Sequence, residues 1–252
     1  MSEQLYGHVL ERMDETLQHF CTQVHPPTRM PFGDAFAYRY KEATIQQAIV
    51  QKCARCLSTL HAALLLMQNG FLQEQAVLQR VLDEIEEDIT FLAFGVIRNE
   101  ITQDHRKYLD SFYEEVYDSA TGKPAKYKKP TLPRRKIHAY LASVYGEDPY
   151  GAAANMQTIS KIYSGFVHAA SPQTMDMFLG NPAKFQTGGV RGGYRYDEHR
   201  EDIWNSFYRG ILAFGLAAKA LGDESMFESI QKFGVRFVSP AQDDHDPRTR
   251  GA

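Results

Sequence analysis

The chain has 252 residues, of which 43% are hydrophobic and 23% are charged, which is typical of a folded protein and excludes an intrinsically disordered one. The formal net charge of −3 excludes a general electrostatic attraction to nucleic acid or anionic lipid, so binding to either would need a local basic patch. One hydrophobic core suffices for this length, and we expect a single folded domain.

Apolar runs in the sequence are short. The longest, Ala62–Met67 and Ile211–Ala218, fall far below the roughly 20 residues that span a bilayer, so we expect no membrane segment. The N-terminal segment carries charges where a signal peptide needs an apolar stretch, and three cysteines do not suggest a disulfide framework. These features predict a cytoplasmic protein.

Helical spacing of apolar residues dominates the sequence and predicts an all-α protein, a single-domain bundle of about seven or eight helices. The first helix is expected from about Glu3 to Val24, because Pro26 and Pro27 then favour extended backbone. The segment from there through Tyr40 is expected to be a loop, because it lacks the strict alternation and the turn dipeptides of a hairpin.

Two long helices are predicted next. Their apolar residues recur in steps of three or four over 41–68 and 71–96, and Asn69 and Gly70 separate them. The short connection predicts that the two helices pack as antiparallel neighbours.

The second half of the chain combines helices with irregular segments. Further helices are predicted at about 102–117, 135–145, 149–169, 200–221 and 224–237. The glycine, prolines and charges of 119–136 indicate an exposed connector, and the glycine-rich stretch 171–198 indicates a long irregular loop of the kind that often carries function. We expect a helical domain at 1–237 and a polar, disordered tail at 238–252.

An acidic run, Asp83 to Asp88, interrupts the apolar pattern of the helix predicted at 71–96. At about 100° per residue, Asp88 falls inside the apolar stripe, whereas Glu84 lies at its edge, one turn from both Arg80 and Asp88. The remaining acidic residues of the run are expected to face outward: Asp83, Glu86 and Glu87. A buried carboxylate needs partners, and these could form either a structural polar network or a functional pocket.

A second polar group lies on the helix predicted at 149–169. Ser164 and His168 are one turn apart, so their side chains share one helix face, and Ser171 follows just beyond. A histidine here can act as a base, a ligand or a helix cap. We therefore predict a pocket that combines this face with the acidic helix, formed by Arg80, Glu84, Asp88, Ser164, His168 and Ser171.

Together, the Arg-x3-Glu pattern that starts at Arg80 and the Tyr-Ser-x3-His-x2-Ser pattern that starts at Tyr163 resemble a group of bacterial helical proteins. These in turn resemble the HEPN superfamily, and the resemblance spans roughly Leu57 to Ser171. It implies metal-independent RNA cleavage in a toxin–antitoxin or phage-defence setting, by a dimer. The HEPN signature of arginine followed by histidine is matched by Arg98 and His105, which would be the phosphate-stabilising and acid–base residues.

Basic residues cluster in the connector at 119–136 and could hold a phosphate backbone. The alternative is a solvated linker. The candidate RNA-binding residues are Lys126, Lys128, Lys129, Arg134 and Arg135.

Two functions are therefore open: a HEPN-like ribonuclease, or a non-catalytic helical module whose polar residues are structural and whose 171–198 loop binds a protein or small ligand. A homodimer, an RNA partner and a protein partner are each compatible with the sequence. We expect no cofactor and no metal, because Cys53 and Cys56 lie in an apolar helical stripe and the paired Glu-x-x-His motifs of a dimetal bundle are missing.

Overall fold

A computed structural model describes residues 3–115, 117–118, 123–124, 131–146, 158 and 161–245 of the chain. Within these residues the protein has nine helices and two small antiparallel sheets, which confirms the predicted all-α bundle. The helices are α1 (Glu3–Thr22), α2 (Ile45–Gln68), α3 (Leu72–Ile97), α4 (Gln103–Phe112), α5 (Arg134–Tyr145), α6 (161–167), α7 (Ser171–Met175), α8 (Tyr194–Ala220) and α9 (Glu224–His245). None of these helices is long and apolar enough to cross a membrane.

Helix α3 is the centre of the bundle, with α2, α8, α5 and α4 packed around it. It runs antiparallel to α2, because Lys52 contacts Asp88 across the turn at Asn69 and Gly70. It runs parallel to α8, because the partners His199 and Arg209 on α8 follow the same order as Gln75 and Asp83 on α3. The starts of α3 and α8 therefore lie at the same end of the molecule.

The core is built from the apolar faces of these helices. Burial of each large apolar side chain stabilises the folded state by roughly 1.5–3 kcal/mol compared with leaving it exposed. The largest fully buried residues include Phe20, Leu60, Phe91, Leu92, Ile137, Phe207, Phe214 and Phe237.

The segment predicted as a loop before Tyr40 contains a β-hairpin instead. Strands β1 (Thr28–Phe32) and β2 (Ala35–Arg39) pair antiparallel around Gly33 and Asp34, and Gly33 has a φ of 55°. Gly-Asp is also a two-residue hairpin turn, whereas the loop prediction considered only Asn-Gly and Asp-Gly as turn dipeptides. An ion pair between Arg39 and Glu115 holds the hairpin near the end of α4.

The long segment at 171–198 is more ordered than predicted. It contains α7 and a short hairpin of β3 (Phe178–Leu179) and β4 (Lys184–Phe185), and α8 already begins at Tyr194. Helix α9 continues past the predicted boundary at 237, to His245. The helix predicted at 149–169 is described only in part, as α6, and 246–252 lie outside the described residues.

Candidate functional site

Acidic residues of α3 are buried on two faces, which the prediction of one apolar stripe did not anticipate. Asp88 is buried as predicted, but Asp83 and Glu86, expected to face outward, are only 6% and 3% exposed. The physical reason is that α3 is central and contacts α8 as well as α2 and α5. Glu84 is the more exposed residue, with 41% of its side chain accessible.

Asp88 has a complete set of partners. Its carboxylate accepts hydrogen bonds from Lys52 Nζ at 2.7 Å, from the Tyr108 hydroxyl at 2.7 Å and from Arg134 Nη1 at 2.6 Å. Burial and the nearby Asp88 charge raise the pKa of Tyr108, so its hydroxyl remains a donor. These contacts fit a structural network that joins α2, α3, α4 and α5.

Arg134, predicted to bind RNA, belongs to this network. Burial opposes its positive charge, but Asp88 and Glu87 outweigh that effect and raise its pKa. Its guanidinium also lies 3.7 Å from Glu84, which pairs with Arg80 at 2.5 Å as predicted for the ladder. Arg135 is exposed, and the other RNA-binding candidates lie outside the described residues: Lys126, Lys128 and Lys129.

The predicted pocket is divided between two places in the molecule. Within the described residues, no partner of Glu84 or Asp88 comes from the segment 161–171. His168 is exposed just after α6, and its backbone N–H donates to the Ser164 carbonyl oxygen at 3.1 Å. Ser171 is exposed at the start of α7. Spacing along one helix could not show which other helix that face meets.

His105, predicted as an acid–base residue, is fully buried. Its Nε2 donates to the Phe91 carbonyl oxygen at 3.0 Å, and its Nδ1 accepts from the Thr102 backbone N–H at 3.2 Å and from the Thr102 hydroxyl at 2.7 Å. Burial lowers its pKa, which favours the neutral ring. His105 therefore caps the start of α4 and does not face solvent.

Arg98 does not meet His105. Its guanidinium is exposed, and Nη2 donates to the Val144 carbonyl oxygen at 3.0 Å near the end of α5. The sequence offered a competing signal, because Thr102-x-x-His105 before a helix matches the spacing of a capping box. The structure shows this capping box and gives the Arg98–His105 pair no shared site.

A cleft of about 230 Å³ lies where the first turns of α3 and α8 meet the segment that follows α7. Its apolar walls include Phe71, Leu72, Met177 and Val190, and its polar lining includes Glu74, Asp176, Arg195 and His199. None of these residues was predicted as a site residue. The one feature of the sequence that pointed to this region was the length and glycine content of 171–198, a segment that lines part of the cleft.

The glycine-rich stretch that borders the cleft is packed in place and is not a free loop. The Val190 N–H donates to the Gly70 carbonyl oxygen at 2.7 Å, and Arg191 donates to the Asn69 side chain at 2.9 Å. A Cβ added to Gly189, which has a φ of 93°, would lie 2.3 Å from the Asn69 carbonyl oxygen. Only glycine permits this approach, so the loop and the α2–α3 turn fit one another.

His199 is a buried histidine that lines the cleft. It is 8% exposed, and its Nδ1 donates to Gln75 Oε1 at 2.6 Å. Burial lowers the pKa of His199, an effect that the Glu198 charge partly opposes.

Comparisons with protein-family models, curated proteins and solved structures give no match to this chain. The resemblance to HEPN proteins and the ribonuclease hypothesis therefore stay predictions. Within the described residues, no group of three or more His, Cys, Asp or Glu side chains is arranged to hold a metal ion.

Proposed function

We propose that this protein is a helical binding module, and that the cleft at the starts of α3 and α8 is its site for a small-molecule ligand. The observation that carries this proposal is the cleft itself, a concave space whose lining combines apolar walls with a few polar groups. Sites for small ligands commonly have this composition.

The size of the cleft sets the scale of the ligand. A volume of about 230 Å³ is just below the roughly 300–1,000 Å³ of typical ligand pockets. It suits a small metabolite rather than a nucleotide or a peptide, with its apolar part against Phe71, Leu72 and Met177.

The walls of the cleft are held in place before any ligand binds. Hydrogen bonds from Val190 and Arg191 join the segment 186–191 to the α2–α3 turn, and Gln186 donates to the Gly189 carbonyl oxygen within it. Gln73 of α3 donates to the Gln173 carbonyl oxygen of α7 at 2.8 Å. A preformed site spares the ligand the free energy of ordering a loop, so a small contact area suffices for measurable affinity.

A fragment library screened by ligand-observed NMR tests this function. Thr187 is exposed and lines the cleft, so Thr187→Trp should fill the space without disturbing the core. Lys184→Trp is the matched control, because Lys184 is exposed on β4 outside the cleft. We expect fragments that bind the wild-type protein and the Lys184 variant but not the Thr187 variant. Binding that is equal in all three proteins would contradict the proposal.

A further inference from the structure

A row of polar side chains runs along the contact between α3 and α8, inside the core. On α3 the members of this polar row are spaced by three or four residues and are each at most 6% exposed: Gln75, Gln79, Asp83 and Glu86. Their partners on α8 are His199, Ser206 and Arg209. Buried polar groups stabilise a helix contact only while each finds a partner, so the row is sensitive to any change of charge.

The polar row ends in two carboxylates that face one guanidinium. Arg209 Nη1 lies 2.5 Å from Asp83 Oδ1, and Arg209 Nη2 lies 3.1 Å from Glu86 Oε2. Within the described residues, no other cation pairs with either carboxylate, and neither oxygen of Glu86 has a hydrogen-bond partner. Two carboxylates this close to one cation titrate as a pair. With both ionised, the group buries one negative charge that no cation balances, which is costly.

The groups that face Glu86 from other directions do not balance this charge. Cys56 of α2 lies nearby, and burial raises the pKa of its thiol well above the usual value, so the thiol stays neutral. Glu87 adds a further negative charge on α3, but it is itself paired with His138 and Arg134 of α5. Contributions from α2, α3 and α5 therefore leave the extra negative charge in place.

Apolar groups of α1 and α2 border the Glu86 carboxyl group. A Cβ built on Gly210 of α8 would lie 3.8 Å from Glu86 Oε1, 3.5 Å from Met13 and 3.0 Å from Leu60, which places these groups together. The charged residues of α1 around Met13 are all exposed: Glu11, Arg12, Asp14 and Glu15. An ionised Glu86 would therefore lie beside methyl groups, out of contact with solvent.

We propose that Asp83, Glu86 and Arg209 form a proton-binding site that acts as a pH-sensitive switch, in which loss of the proton loosens the packing of α3 on α8. With the proton bound, one carboxylate balances Arg209 and the other is neutral. When the proton leaves to solvent, the extra charge is stabilised by entry of water or by outward movement of Glu86, and either change weakens the helix contact. Burial raises the pKa of Glu86 to about 8, so the switch lies on the alkaline side of neutral. This inference does not depend on the proposed function.

Amide hydrogen–deuterium exchange at about pH 6.5 and about pH 9, corrected for the intrinsic exchange rate, tests the switch. We expect protection in 79–89 of α3 and 203–213 of α8 to fall about tenfold or more, because one linked proton changes an equilibrium by up to about tenfold per pH unit. Protection in 137–142 should fall less, because α5 packs on α3 through Glu87 and Asp88 rather than through the polar row. An equal fall in all three segments, which reports only lower global stability, or no fall at all, would overturn the proposal.

Glu86→Gln mimics the protonated side chain and should remove the effect of pH on protection. Glu201→Gln, at an exposed position of α8, is the matched control and should behave as wild type. If Glu86→Gln does not fold, the side-chain carboxyl carbon-13 resonances of the wild-type protein give the answer. We expect a resonance of Asp83 or Glu86 to titrate above about pH 7, and titration of both below that value would overturn the proposal.

The switch should also reach the cleft, because the first turns of α3 and α8 line it. Two residues of the cleft have pKa values that are shifted away from the range of the switch: burial lowers the pKa of His199, and the hydrogen bond to Glu198 raises the pKa of Tyr194. Amide resonances of 70–74 and 192–199 should therefore move between about pH 7 and about pH 9 in wild type but not in Glu86→Gln. Movements of equal size in both proteins would contradict a connection between the proton site and the cleft.

Discussion

Glu86 is a buried glutamate of α3 that faces Arg209 of α8. It is 3% exposed, neither carboxylate oxygen has a hydrogen-bond partner among the described residues, and the nearest cation is Arg209 Nη2 at 3.1 Å. Burial raises its pKa to about 8, although Arg209 acts in the opposite direction. Burial therefore favours the protonated form of Glu86, and Arg209 also pairs with Asp83 at 2.5 Å.

A raised pKa makes the protein less stable as pH rises. The folded state holds the Glu86 proton more tightly than the unfolded state, so this stabilisation is complete below the unfolded pKa and is lost between pH ~4.5 and the folded value of about 8. The loss is at most about 1.4 kcal/mol per pH unit. We expect urea unfolding at several pH values to show this decline in wild type and not in Glu86→Gln. Exposed Glu201→Gln should behave as wild type, and a decline that persists unchanged in Glu86→Gln would contradict the assignment.

Removing the charge of Asp88 should destabilise the fold. Asp88→Asn leaves Lys52 and Arg134 partly buried without their main anion, so we expect a loss of about 3 kcal/mol in the free energy of unfolding. Glu84→Gln is the comparison, because Glu84 is 41% exposed and its ion pairs are worth less than about 1 kcal/mol. Chemical denaturation measures both, and equal small losses would show that the Asp88 network does not stabilise the protein.

Substitution of His105 separates a structural role from a catalytic one. His105→Ala removes the Phe91 and Thr102 hydrogen bonds and opens a cavity, which should cost about 2–4 kcal/mol. Arg98→Ala, at an exposed side chain, should cost less than about 1 kcal/mol. Chemical denaturation measures the stability of both variants, and an RNA-cleavage assay on the same proteins measures their activity. RNA cleavage lost in both variants at wild-type stability would support the ribonuclease hypothesis instead.

At the scale of elements, the segment between α7 and α8 depends on one close backbone approach. Gly189→Ala would place a methyl group 2.3 Å from the Asn69 carbonyl oxygen at a positive φ, whereas Gly188 has nothing within 4 Å of an added Cβ. We expect Gly189→Ala, but not Gly188→Ala, to release 186–191 from the α2–α3 turn. Hydrogen–deuterium exchange at Val190, whose N–H donates to Gly70, reports this directly. Unchanged protection in Gly189→Ala would contradict the packed loop.

The long helices could be predicted from the sequence because apolar spacing reports a buried face directly. The turn at Asn69 and Gly70 separates α2 and α3 as expected. The hairpin at Gly33 was missed because its turn is Gly-Asp. The inward position of Glu86 was missed because a single helix pattern does not reveal that α3 has neighbours on several sides.

At the scale of the whole molecule, the candidate site depends on topology rather than on a motif. Residues 71–74 and 192–199 are far apart in the chain and meet because α3 and α8 pack in parallel. No local pattern in the sequence indicates that two helices distant in the chain pack in parallel, so the cleft could not be predicted. The long loop was correctly identified as unusual, but its packing against Asn69 required the structure.

The central claim is that the cleft at the starts of α3 and α8 is where this protein binds its ligand. Amide chemical-shift mapping with a fragment selected in the screen tests it most directly. We predict that the largest perturbations cluster at residues 70–74 and 192–199. Perturbations concentrated at the exposed hairpin of β1 and β2, or around Leu212 and Val235 in the groove that α8 and α9 form, would contradict the claim.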